Sequence, residues 1–134
     1  MPNQFVFPDV HVDATPEGRP FSDAEIIARG VEQGGPSFEV RVFLNNEKAD
    51  ADTPADEQHG YAGSFHIYGF GLDKPGETPK HKIPTDYVVP ATRAVRAALQ
   101  QSPALTVTLV PRYYSGPATA SRDLHLDGIS IATR

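Results

Sequence analysis

Five histidines, at positions 11, 59, 66, 81 and 125, are the residues of this chain most suited to chemistry. An imidazole can bind a transition metal, move a proton or activate a nucleophile near neutral pH. Each role needs other groups to converge on the ring, and the spacing supplies few. No two histidines stand four residues apart, the helical interval that puts two rings on one face. His11 with Asp13 and His125 with Asp127 could each share a strand face, which suffices for an adventitious ion and not for a catalytic centre. Ser64 and Ser115 lie near His66 and Tyr114 in sequence, yet no Gly-x-Ser-x-Gly elbow is present. The chain contains no cysteine, so thiolate zinc and thiol copper transfer are excluded. Residues 45–59, NNEKADADTPADEQH, are acidic but lack the glycine and closing glutamate of a helix-loop-helix calcium site, so they are expected to form a solvated loop. The expectation is a chain with no catalytic residues, no metal and no cofactor of its own.

The second chemistry is aromatic. Residues 61–71, YAGSFHIYGFG, place Tyr61, Phe65, Tyr68 and Phe70 among residues as small as Gly, Ala and Ser. In strand geometry Phe65 and Ile67 share one face, and Ser64, His66, Tyr68 and Phe70 the other. His66 is expected to be a hydrogen-bonded structural imidazole. The glycines at 63, 69 and 71 permit a bulge, a bend or close approach by a neighbour. A second pair, Tyr113 and Tyr114, follows Pro111 at a strand end, where a protruding ring is easily presented. The ordinary reading of both is loop tyrosine packed on a rim.

The elements that carry these side chains follow from pattern. Thirteen prolines and eleven glycines in 134 residues, with 39% of the chain still hydrophobic, indicate many turns and hence many short strands. Residues 4–12 alternate as a strand that Pro8 confines to an edge or a bend. Ser22 with Glu25 has capping-box spacing, which predicts a short helix over 23–29 stopped by Gly30. Phe38, Val40, Val42 and Leu44 form one face of a strand, with Glu39 and Arg41 on the other. A strand over 83–89 interrupted by Pro84, a helix over 91–101 with an apolar stripe of Val95, Ala98 and Leu99, and strands over 104–111 and 124–131 complete the chain. About six strands and two short helices, without strand–helix alternation, predict a mainly β fold. The architecture is an antiparallel β-sandwich or flattened barrel forming one domain over 1–134.

A net charge of -5 argues against nucleic acid as a partner. No apolar run nears the roughly 20 residues needed to span a bilayer. The opening residues MPNQFVFPDV lack the basic and apolar regions of an export signal, so none is expected. The compartment stays open.

Four segments carry a resemblance. SFEVRV at 37–42, YAGSF at 61–65, VTLVP at 107–111 and LHLDGISI at 124–131 occur in the order found in the C-terminal domain of plant-type polyphenol oxidases and related bacterial tyrosinases. That domain resembles them in its KFDV run, its AGSF strand, its VTLVP strand and its terminal GGIxI strand. The resemblance covers about residues 37–132, leaving 1–36 as an extension with its own strand and short helix. Ser37 and Glu39 depart from the family's Lys and Asp, Asp127 from a Gly, and the loop over 112–123 is longer than in plant members.

The resemblance implies a small non-catalytic β-sandwich that covers a tyrosinase-type dicopper catalytic domain, in cis or in trans, and keeps it latent. A related role belongs to the β-domain of molluscan haemocyanins. The family's dicopper site takes six histidines, more than this chain has. A ring on Tyr113 or Tyr114 would serve as the placeholder in the copper site, with Tyr61, Phe65, Tyr68 and Phe70 as the second choice, Phe65 being expected in the core; His66, Tyr68 and Phe70 are the further candidates for partner contact. The alternative is a freestanding module that binds a small aromatic ligand or glycan on Tyr68, Phe70, Tyr113 and Tyr114.

Overall fold

β-branched and aromatic residues at alternating positions convert most of the chain into strands that bury one face and wet the other. The computed structural model describes residues 4–12, 21–32, 37–68, 84–114 and 124–134. They form strands β1 (Phe5–His11), β2 (Ala24–Val31), β3 (Phe38–Leu44), β4 (Tyr61–Ile67), β5 (Thr85–Pro90), β6 (Ala104–Tyr113) and β7 (Gly128–Thr133), with one helix, α1 (Thr92–Leu99), and a 3-10 turn at Glu57–His59. Two antiparallel sheets result, one ordered β1-β6-β3-β4 and the other β5-β2-β7. Among the described residues the sheets share only a parallel bridge between Val12 and Ile131, so they form a sandwich and not a closed barrel.

The core lies between the sheets. Phe38, Val40 and Val42 of β3 face Ile26 of β2 and Ile131 of β7, all essentially solvent-free. Helix α1 contributes Val95 and Ala98 to the same core, and Leu99 packs at its margin. On the outer face of the four-stranded sheet a smaller apolar cluster forms from Phe43, Val110, Ala49 and Ala51, with Tyr61 against it. The last two alanines belong to the loop over 45–59. That loop therefore does more than stand in solvent, because its small apolar residues seal one patch of the sheet.

The helix expected over 23–29 is instead strand β2. A capping box reads four residues, whereas the fold reads the whole segment. Ala24, Ile26 and Ala28 are buried at every second position, and β2 is the central strand of its sheet, paired on both sides. Ser22 does not cap anything: its hydroxyl donates to the Arg134 carbonyl at 2.9 Å. Gly30 does not stop a helix either. It sits at φ +66° where the register between β2 and β5 shifts.

Other expectations meet the structure more closely. β1 is an edge strand, as Pro8 requires, and its pairing shifts between Phe7 and Val10 around Asp9 at φ 56°. The strand expected over 124–131 begins only at Gly128, although Leu124 is buried. Seven strands replace the expected six, and one α-helix with a 3-10 turn replaces two helices, among the described residues. Strand β4 is also an edge, with Phe65 and Ile67 in the core. Gly63, at φ +141°, lets the other sheet come close, since a methyl there would press on Val89 of β5.

Candidate functional site

The registers of β4, β3 and β6 set side by side what lies far apart in sequence. His66 pairs with Glu39, and Glu39 with Arg112, so the three form one row across the outer face of the sheet. Ser64, Arg41 and Val110 form the next row. Arg41 Nε donates to Glu39 Oε1 at 2.9 Å, two residues along the same face. The Arg112 Nε is buried without a hydrogen-bond partner.

Tyr114, the first residue past β6, folds back over this face to reach His66. Its hydroxyl lies 2.5 Å from His66 Nδ1, and the two rings are nearly parallel, 8° apart with centroids at 5.9 Å. Burial of the hydroxyl, then the nearby Tyr68 and Glu39, raise the Tyr114 phenol above its ordinary value of 10.0. The outward surface is nonetheless open: Tyr114 is 57% exposed and Tyr68 70%.

Strand alternation divides the tyrosine pair. Tyr113 turns inward, edge-to-face on Phe38 with centroids 6.4 Å apart, while Tyr114 turns out. The structure thus gathers His66, Tyr68 and Tyr114 on one face and sends Tyr113 to the other side. Phe70, His81 and Ser115 lie outside the described residues. Glu39, Arg41 and Arg112 were not among the candidates. Their clustering depends on cross-strand register, for which the alternation of Glu39 and Arg41 is only half a signal.

The remaining histidines stay apart. His11 ends β1, and Asp13 lies outside the described residues; His125 and Asp127 are both exposed in the stretch before β7, where the His125 carbonyl accepts from the Glu32 N–H and the Asp127 N–H donates to the Arg29 carbonyl. His59 instead pairs with Asp56, Nδ1 to Oδ1 at 2.5 Å, and hydrogen bonding from His59 lowers the Asp56 carboxyl below its ordinary 3.8. Among the described residues no three His, Cys, Asp or Glu side chains are grouped to hold a metal ion.

Chemically, the face combines two exposed tyrosines, a histidine and paired charges. Fold and face together define the class: a small antiparallel β-sandwich with an aromatic, partly charged outer face. Its fold is similar to one part of a larger oxidase. Latent aurone synthase (polyphenol oxidase) from natural source aligns with 98% of this chain at a TM-score of 0.62 and 21% identity. Recombinantly expressed latent aurone synthase aligns over 98% at 0.62 and 20%. This chain spans about a quarter of the length of those chains, 24% in both. No protein-family model matches the sequence, and no curated protein matches it.

Proposed function

We propose that this β-sandwich shields the active site of a tyrosinase-type dicopper oxidase, joined to it or as a separate chain, and holds it latent. The observation that carries this reading is the alignment of nearly the whole chain with only a quarter of a polyphenol oxidase described as latent. The AGSF and VTLVP segments add to it, because they become neighbouring parts of one sheet through β3. In this reading Tyr114 presents the blocking ring. It is the outward member of the pair, and its stacking on His66 limits the rotamers it must give up on docking.

The test is phenol oxidation by a copper-loaded tyrosinase-type catalytic domain titrated with the purified chain. Saturable inhibition is expected. Burial of one aromatic ring contributes about 2 to 3 kcal/mol, so Tyr114→Ala should raise the inhibition constant roughly 30- to 150-fold. Tyr113→Ala should act through stability, since that ring packs on Phe38. Absence of inhibition at any attainable concentration would sink the shielding role. A second reading, a platform for a small aromatic ligand or glycan, draws on the exposure of Tyr68 and Tyr114; direct binding of such a compound, removed by Tyr68→Ala, would favour it.

A further inference from the structure

At the start of β4 an apolar groove of about 690 Å³ runs between α1, the end of β3 and the 3-10 turn. Its size falls within the roughly 300 to 1,000 Å³ of small-molecule sites. Tyr61 and His66 are five strand positions apart, so the groove lies about 16 Å from the Tyr114 face.

The groove is open because its walls are short. Ala94, Ala97 and Ala98 line it from the helix, and Gly60 and Ala62 from the strand. The Tyr61 ring stands beside them, fixed edge-on by Phe43 at 5.6 Å and by its backbone N–H donating to the Asp56 carbonyl. Asn45 pins the far end. Its amide donates to the Ala98 carbonyl and to Gln101 Oε1, and its Oδ1 accepts from the Thr106 N–H. The site is thus formed before any ligand arrives.

Charge stands at one end alone. Arg93 Nε pairs with Glu57 Oε1 at 2.9 Å, both side chains well exposed at 87% and 71%. Gln101 lies eight residues on, about 12 Å along the helix axis. A pair this exposed competes poorly with other anions, and an arginine fork accepts a carboxylate in two parallel bonds. The positive end of α1, whose N-cap Ala91 supplies no side-chain bond, adds to the preference for an anion there.

We propose that this groove binds an aromatic monocarboxylate. The flat ring lies between Tyr61 and the alanines of α1, and the carboxylate replaces Glu57 on Arg93.

The test is fluorescence titration of the full chain with naphthalene-2-carboxylate, and with its neutral primary amide as control. Saturable one-to-one binding is expected, tighter for the carboxylate. Arg93→Ala should weaken the carboxylate roughly tenfold and leave the amide unchanged. Glu57→Gln should tighten the carboxylate by removing its competitor. Ala97→Phe, at an exposed helix position whose fold is checked by circular dichroism, should abolish both. Failure to saturate, unchanged binding in Ala97→Phe, or equal affinity for carboxylate and amide would overturn the proposal. So would weaker binding in Glu57→Gln, because it would make Glu57 a ligand contact.

Discussion

Tyr114 shows how one side chain reports its surroundings. Its phenol is raised above 10.0 by burial first, then by Tyr68 and Glu39, all of which disfavour the phenolate. A folded value above the unfolded one means that the native state holds its proton more tightly. The associated stability is complete below about pH 10 and is lost as pH climbs through the folded value. Urea unfolding followed between pH 8 and 11 should therefore show a decline to which Tyr114 contributes, and Tyr114→Phe should make that decline shallower. An identical slope in the variant would mean that the hydroxyl feels no such environment. Of the candidate residues, the aromatic and small character of residues 61–68 was legible in sequence. Which of Tyr113 and Tyr114 faces out was not, because the strand expected over 104–111 stops short of the pair, whereas β6 runs on to Tyr113 and carries its alternation to them.

At the scale of elements, the junctions depend on a few polar residues. Asn45 leaves β3 at φ 54°, and its side chain joins the end of α1 to β6 while its backbone N–H donates to the Thr106 carbonyl. Replacing it by alanine removes the side-chain bonds and places a methyl in a left-handed conformation, which together should lower stability by about 2 to 3 kcal/mol. Asn45→Gly keeps the backbone conformation and should lose about 1 kcal/mol less. Chemical denaturation of the two variants separates the contributions; equal losses would show that conformation plays no part. β2 carries the lesson about sequence. Ser22 and Glu25 satisfy a helix-start pattern locally, but Ala24, Ile26 and Ala28 complete the second sheet's core face and are hydrogen-bonded on both sides. Burial by a whole sheet outweighs a capping preference of about 1 kcal/mol.

For the whole molecule, the sandwich has one central core and a small cluster outside it, and the two should respond differently to truncation. Phe38 is solvent-free between the sheets, and Phe38→Ala should cost about 3 to 5 kcal/mol because its rigid neighbours cannot close the cavity. Phe43 is equally buried but is covered by Ala49 and Ala51 of a loop, which can settle inward. Phe43→Ala should cost clearly less, and unfolding midpoints of the two variants compared with the parent would reveal it. Similar losses would mean that the loop is as rigid as a sheet.

Sequence alone determined the β class, the restriction of β1 to an edge or a bend, the inward face of β3 and the helix before β6, because period and proline act over a few neighbouring residues. It also set the charge balance and the lack of cysteine. Tertiary structure decided the rest. The row of His66, Glu39 and Arg112, the return of Tyr114 over that row, and the groove between Tyr61 and α1 all join residues dozens of positions apart. Such meetings are set by strand order and register, which no local pattern encodes.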